Sequence, residues 1–381
     1  MVKVKKEAIL VKPEDLKPSS RYLKVTGVLN PAATRDRSGN IILYVRVIEE
    51  LIKKWDDKFH YSPRLVGTDK YKLKIDKFKK NLIDYSSDLD FVFKDGTKRL
   101  TFISHLRKIV LDRSGFKIKI IEQKPSFFGI HSDGELGIED PRITKLDNKY
   151  YMTYVTLSRN ENISTSLAIS NDLKKWKRLG IIFGEQDKDV VLFPEKIKGN
   201  YVVFDRPEGN FSFSPPHIWI AYSKDLVSWG KLDALNLGKK GDWDYERVGA
   251  GPPPIKTNKG WLFVYHGVMT QISKKNIDMV IKKMNIMEEM SGVIKTKDAI
   301  YCVGAALLDL KNPKHIIAKT KVPILFPMKK HEISVEEDKR VVFPTGLVLD
   351  GDDVLIYSGA GDRLVSVKKI SLNRIMRKLK F

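Results

Sequence analysis

The repeats in this sequence point to an all-β chain, a five-bladed β-propeller with helical inserts. Three observations carry that expectation. A proline followed by a short strand, a polar turn and a strongly apolar strand recurs five times, at Pro31, Pro141, Pro194, Pro254 and Pro344. The pattern S-x-D-L-x-x-W occurs twice, 53 residues apart, at Ser170-Asn171-Asp172-Leu173-Lys174-Lys175-Trp176 and Ser223-Lys224-Asp225-Leu226-Val227-Ser228-Trp229. Helical periodicity is confined to two stretches outside the repeats, near 274–290 and near 372–379.

Each unit is justified in turn by its local chemistry. The apolar strands are 41–47, 150–155, 201–204, 261–265 and 354–357, rich in β-branched and aromatic residues. The turns before them are Ser38-Gly39-Asn40, Asp147-Asn148, Gly199-Asn200, Asn258-Lys259-Gly260 and Asp350-Gly351-Asp352, all residues that tolerate the dihedral angles of tight hairpins. Both S-x-D-L-x-x-W segments follow an apolar run, so they occupy the same place in their units. A β-sandwich with generic hairpins is the competing architecture, and the repeated heptapeptide favours the propeller. One propeller domain is expected over 1–381, with inserts near 52–90 and 270–298. In the second insert, Ile277, Val280, Ile281, Met284 and Met287 form an apolar helical face that would pack on the propeller or on a second copy of the chain.

Composition excludes several classes. In 381 residues, 42% are hydrophobic and 30% charged, an ordinary globular mixture. There is no run of 18 apolar residues to span a membrane, and Met1-Val2-Lys3-Val4-Lys5-Lys6-Glu7 lacks the apolar core of a secretory signal, so a cytoplasmic location is expected. The single cysteine, Cys302, excludes an intramolecular disulfide and argues against a cysteine zinc site. The net charge of +22 favours anionic partners. Its lysines are spread in pairs such as Lys53-Lys54, Lys79-Lys80 and Lys329-Lys330, without a basic tail or an RNA-binding signature, so no nucleic-acid partner is expected.

A propeller brings one end of each inner strand to a central funnel, and the residues placed there are Arg46, Glu139-Asp140, Asp205-Arg206, His266 and Asp362. Acids, arginines and a histidine beside apolar strands point to a site, although any one of them can instead form an ion pair between sheets. Glu139 and Asp140, adjacent on a strand, are expected on opposite faces. Trp219, Trp229, Trp243 and Trp261 read as core residues rather than sugar-stacking platforms. No Ser-His-Asp spacing, phosphate-binding glycine loop or histidine-rich cluster is present, so neither a metal nor an organic cofactor is expected.

The densest segment is Gly137-Ile138-Glu139-Asp140-Pro141-Arg142-Ile143-Thr144. Further segments accompany it: Leu192-Phe193-Pro194-Glu195-Lys196-Ile197, the two S-x-D-L-x-x-W repeats, Gly249-Ala250-Gly251-Pro252-Pro253-Pro254-Ile255, Tyr265-His266-Gly267-Val268 and Gly304-Ala305-Ala306-Leu307-Leu308-Asp309-Leu310. This ordered set resembles glycoside hydrolase family 130, the β-mannoside phosphorylases, from about residue 27 to about residue 364, apart from the two inserts.

The resemblance implies a five-bladed propeller enzyme that cleaves β-mannosides with inorganic phosphate and releases α-mannose 1-phosphate with inversion. It places the proton donor at Asp140, with the proton passing through a sugar hydroxyl. It places a phosphate clamp at Lys188, Arg206, Arg247 and His266, and sugar contacts at Asn30, Arg46 and Asp362. Position 247 is often lysine in the family; arginine grips phosphate bidentately and preserves the role. The chemistry is coherent, because an inverting enzyme needs an acid on one side of the bond and a nucleophile on the other, and phosphate arrives already anionic. Inorganic phosphate would be a co-substrate. Two rival readings stand beside it. One is an inverting β-mannosidase on the same fold, with Glu208 or Glu246 activating water; the other is a non-catalytic basic propeller that binds partners on its face.

Overall fold

The computed structural model describes residues 1–208, 213–270, 299–334 and 339–380. The chain is nearly all β, and its strands form five four-stranded antiparallel meanders. The first sheet contains Leu23–Arg35, Ile41–Leu51, Phe102–Leu111 and Ile118–Ile121. The second contains Gly137–Leu146, Lys149–Leu157, Ile163–Ser170 and Lys177–Phe183. The third contains Asp187–Leu192, Tyr201–Pro207, Trp219–Ser223 and Trp229–Ala234. The fourth contains Arg247–Ala250, Gly260–Thr270, Ala299–Leu308 and Ile316–Thr320. The fifth contains Lys339–Asp350, Asp353–Ala360 and Leu364–Ser371, completed by the N-terminal strand Val4–Val11. A short parallel pairing of Ile300 and Tyr301 with Arg340 and Val341 joins the fourth and fifth sheets. Each of the five apolar strands anticipated from the repeats is the second strand of its sheet.

Each sheet shares an apolar core with the next. Ile42 and Tyr44 of the first sheet meet Ile138 and Tyr154 of the second. Tyr151 and Leu167 meet Val190 and Val203 of the third, and Val191 and Phe204 meet Phe263 and Tyr265 of the fourth. Val264 and Val303 meet Val342 and Ile356 of the fifth. Val365 and Tyr357 then return to Val28 and Val45 of the first. Both faces of every sheet are therefore covered, which explains why the central strands are apolar runs rather than alternating patterns.

The S-x-D-L-x-x-W segments are the turns that join the third and fourth strands of the second and third sheets. In each, the serine Oγ accepts from the aspartate and leucine backbone N–H groups, and the aspartate carboxylate accepts from the next two N–H groups. This lets Leu173 and Leu226 adopt positive φ (57° and 72°) and bury their side chains. Trp243 and Trp261 are core residues as expected; Trp219 and Trp229 are half-buried.

The insert near 52–90, which carries no helical periodicity, is built of strands. The stretch after Leu51 leaves the first sheet between its second and third strands. It folds as a hairpin, Phe59–Leu65 with Leu73–Lys79, and a small sheet of Ile83–Ser86, Asp90–Phe93 and Lys98–Leu100. Its only helical piece is the three-residue turn Lys80–Leu82. Its two pieces are held together by aromatic contact: Phe78 of the hairpin packs on Phe91 and Phe93 of the small sheet, with ring centroids 5.0–5.8 Å apart. The Met-rich segment near 274–290 lies outside the described residues. The C-terminal helix does form, at Leu372–Lys378, and Ile375 anchors it against the fourth and fifth sheets.

The turn chemistry makes a stability prediction. Ser170→Ala leaves the buried Leu173 N–H without its acceptor and is expected to cost about 1–3 kcal/mol in denaturant unfolding, with Ser223→Ala behaving alike.

Candidate active site

The first strands of the first three sheets share a device. Each breaks register near its middle, and the residue at the break has left-handed backbone: Asn30 and Asp140, both at φ 47°, and Asp189 at φ 56°. Asn and Asp adopt this conformation more readily than other side chains. A bulge re-aims a side chain out of the strand alternation. That corrects the expectation for Glu139 and Asp140. Although adjacent, both reach the same guanidinium: Arg46 Nη2 donates to Glu139 Oε1 at 2.5 Å, and Arg46 Nη1 donates to Asp140 Oδ1 at 3.2 Å.

Around Asp140 the residues read from the sequence do come together. Asn30 Nδ2 donates to Asp140 Oδ1 at 2.8 Å, so that oxygen is held by two donors, while Asp140 Oδ2 makes no hydrogen bond to a described residue. The Asn30 amide is packed so closely that a Cβ at Gly359 would lie 2.2 Å from its Oδ1. Arg46 has 13% of its side chain exposed, and its guanidinium is held charged: desolvation opposes the charge, and Glu139, Asp140 and Asp362 outweigh it. Asp362 stands in a turn at φ 51° and joins the group through that electrostatic contact.

The second group is basic. Arg206 Nη1 donates to Glu208 Oε2 at 2.7 Å, and Arg247 Nη2 lies 3.0 Å from Glu208 Oε1. Lys188 pairs with Arg206 in register across the two strands and also acts on Glu208. Burial would raise the Glu208 carboxyl, but Arg206, Arg247 and Lys188 together hold it below the ordinary carboxylate range. Arg247 Nη1 also donates to the Tyr301 hydroxyl at 3.2 Å.

Asp189 joins the two groups. Its Oδ1 accepts from Arg142 Nη2 at 2.7 Å and its Oδ2 accepts from Arg206 Nε at 2.7 Å. Arg142 Nη1 donates to the Asp140 carbonyl at 2.9 Å, and its Nη2 also reaches the Ala250 carbonyl of the fourth sheet at 3.3 Å. His266 Nε2 is 3.7 Å from Asp189 Oδ2, and the His266 ring packs on Phe343 of the fifth sheet at 4.4 Å. Gly249 is required here, since a Cβ would fall 2.2 Å from His266 Cε1 and 2.4 Å from Asp189 Oδ2.

His266 differs from a cationic clamp member. Burial pushes its pKa down to about 3, against the pull of Asp189, so the ring is neutral near pH 7. Three cations, Lys188, Arg206 and Arg247, supply the positive charge. Among the described residues no cluster of three or more His, Cys, Asp or Glu side chains is arranged to hold a metal ion. A groove of about 530 Å³ beside Trp176, lined also by Lys149, Ser170, Lys175 and Leu179, lies in the second sheet and includes none of these groups.

Comparison with known proteins bears directly on this arrangement. The family model described as beta-1,4-mannooligosaccharide phosphorylase, glycoside hydrolase family 130, matches residues 102–380. This chain belongs to glycoside hydrolase family 130. The chain is similar to the beta-1,2-mannobiose phosphorylase of Listeria innocua, 29% identical over 97% of this chain and 96% of that protein. It is 36% identical to a beta-1,2-mannobiose phosphorylase of Thermoanaerobacter sp., over 66% of this chain and 72% of the relative. The solved structure of the Listeria innocua enzyme in complex with beta-1,2-mannobiose superposes with a TM-score of 0.80 at 29% identity, covering 97% of this chain and 96% of that one.

The molecule brings Asn30, Arg46, Asp140 and Asp362 together in one group and Lys188, Arg206 and Arg247 in the other, with His266 beside Asp189 between them; Asp189, Arg142 and Tyr301 are additions that sequence reasoning passed over. The signal for Asp189 was present but displaced. In the first two repeats the left-handed residue immediately precedes the proline, whereas in the third it stands five residues before Pro194. Asp205 faces another partner. It shares a hydrogen bond with Asp187, both are buried, and no cation outweighs that burial, so both pKa values rise, that of Asp187 to about 8.

The sign of the linkage follows. The folded pair holds a proton that the unfolded chain releases near pH 4, so its contribution to stability is full below that pH and is lost as pH rises through 8. Between about pH 5 and 8 the wild type is expected to lose stability as pH rises, by at most about 1.4 kcal/mol per pH unit from this pair. Asp187→Asn imitates the protonated partner and should flatten the profile, read by urea unfolding across that range.

Proposed function

We propose that this chain is a β-mannoside phosphorylase. It would transfer a terminal β-linked mannosyl unit to inorganic phosphate with inversion, giving α-mannose 1-phosphate and a sugar shortened by one residue. The observation that carries the reading is an acid and a cluster of three cations joined by hydrogen bonds that run from the Asp140 carbonyl through Arg142 and Asp189 to Arg206. The similarity to beta-1,2-mannobiose phosphorylases supports β-1,2-linked mannosides as substrates before β-1,4-linked ones. The five meanders, each packed on two neighbours, support a single five-bladed propeller spanning 1–381. We take it to be a cytoplasmic enzyme without metal or organic cofactor.

In this mechanism Asp140 is the proton donor. Its Oδ1 is fixed by Asn30 and Arg46, which leaves Oδ2 to face a sugar hydroxyl that relays the proton to the leaving oxygen. Arg46, Asn30 and Asp362 orient the mannosyl unit. Lys188, Arg206 and Arg247 hold phosphate on the opposite face of the sugar, and neutral His266 contributes a hydrogen bond without adding charge. Positioning phosphate in line replaces the translational entropy of a bimolecular encounter and keeps water from competing as nucleophile.

A hydrolytic reading would use Glu208 as the base that activates water. Its two guanidinium contacts speak against it, because a carboxylate held below its ordinary range is a weak base. In the phosphorylase reading Glu208 keeps the clamp paired until phosphate displaces it.

The deciding experiment is reverse phosphorolysis with α-mannose 1-phosphate and a panel of acceptor sugars, following phosphate release and product linkage by NMR. Acceptor-dependent release of phosphate is the expected result. Mannose liberated from β-mannosides in phosphate-free buffer would establish the hydrolase instead. Asp140→Asn should lower phosphorolysis by about 10²–10⁴-fold with folding intact, the range for loss of a general acid. Arg206→Ala should raise the KM for phosphate far more than that for the mannoside.

A further inference from the structure

We infer that Asp189 is a positioning residue for this reaction, setting the phosphate clamp in register with the acid-bearing strand. The inference rests on the phosphorylase reading above. Asp189 touches neither the expected sugar nor the expected proton path, yet three sheets meet on its carboxylate. Arg142 comes from the second sheet, Arg206 from the third and His266 from the fourth.

The geometry divides its two oxygens between two tasks. Oδ1 holds Arg142, whose other nitrogen grips the Asp140 carbonyl and so fixes the bulge that aims the acid. Oδ2 holds Arg206 through Nε, which fixes where that guanidinium sits. One terminal nitrogen lies on Glu208, and Nη2 has no hydrogen bond to a described residue. A guanidinium bound through Nε keeps donors on its terminal nitrogens for an incoming anion. Phosphate arriving on Arg206 is thereby placed at a set distance from Asp140, through bonds rather than through flexible loops.

The charges are consistent with this role. Arg142 is buried at 1% exposure beside Asp189 at 4%, so the carboxylate neutralises a cation that would otherwise sit uncompensated. Arg206 shares that carboxylate, and Arg247 and Lys188 remain beyond it, so the net positive charge lies on the Glu208 side of the site. On the strand Asp187–Leu192 the left-handed aspartate at the bulge is the carboxylate that meets both arginines, while Asp187, two residues earlier, meets Asp205.

The test is steady-state phosphorolysis by wild type, Asp189→Asn and Glu49→Gln. The last disturbs a buried ion pair with Arg107 in the first sheet, outside the site, and controls for general destabilisation. An asparagine must turn its amide NH2 toward one of the two arginines and releases it. Asp189→Asn is therefore expected to raise the KM for inorganic phosphate at least about tenfold and to lower kcat, with the mannoside KM changed less than about twofold. Glu49→Gln should lower the melting temperature and leave the phosphate KM unchanged. If Asp189→Asn behaves like Glu49→Gln, the positioning role is wrong. Should Asp189→Asn not fold, Arg142→Lys reads the same link from the other end. One ammonium cannot span the Asp140 carbonyl and Asp189, so kcat should fall, and an unchanged kcat would overturn the proposal. A wild type that cleaves β-mannosides with no dependence on phosphate would remove the phosphorylase reading and this role with it. A phosphate-dependent wild type with an unaltered Asp189→Asn removes only the role.

Discussion

A carboxylate with 4% of its side chain exposed cannot remain charged in this interior without cations against it, and Asp189 meets that constraint with two arginines drawn from different sheets. Much of the site follows from that one requirement. Arg142 must turn inward to reach Oδ1, and in doing so it binds the backbone of Asp140. Arg206 meets Oδ2 through Nε and reaches Glu208 with Nη1. His266 must stay neutral, because burial and the neighbouring guanidiniums outweigh the attraction of Asp189. Gly249 must lack a side chain, since nothing larger fits between His266 and the carboxylate.

The fold makes such a concentration of charge tolerable by isolating it. Apolar cores lie between successive sheets, while the polar side chains gather where the first strands approach one another. Hydrogen bonds between those strands confirm the approach: Thr144 Oγ1 donates to the Leu192 carbonyl, and Thr345 Oγ1 donates to the Pro31 carbonyl. The bulges at Asn30, Asp140 and Asp189 lie on these strands. A regular strand would send alternate side chains into the apolar interfaces; the left-handed residue interrupts that alternation and directs a polar group to the centre instead. The site is thus built from departures from strand geometry, on elements whose remainder is rigid and buried.

Some of this was legible beforehand because it is local. The five apolar strands, their glycine and asparagine turns, and the paired S-x-D-L-x-x-W segments are each decided within about ten residues, by β propensity and side-chain-to-backbone hydrogen bonds. The chain end Leu372–Lys378 was readable from its helical spacing alone. Other parts stayed hidden for equally physical reasons. The stretch after Leu51 was legible only as an insert, because it has no strict alternation and its strands are held by phenylalanines that meet only after the hairpins form. The N-terminal strand Val4–Val11 gave no sign of pairing with Leu364–Ser371, a contact between the two ends of the chain.

The linear order of residues determined which groups were available for chemistry: one acid beside a proline, a set of arginines and lysines, and a histidine after an apolar strand. Family membership was carried by those same motifs. Only the tertiary structure decided the protonation and partnership of those groups. The neutrality of His266, the raised pair of Asp187 and Asp205, the shared grip on Arg46 and the bridging role of Asp189 depend on burial and on distances between strands far apart in the chain. Local pattern specifies backbone conformation through short-range sterics and hydrogen bonds. The energy of a buried charge is set by whichever groups the fold brings within a few ångströms of it.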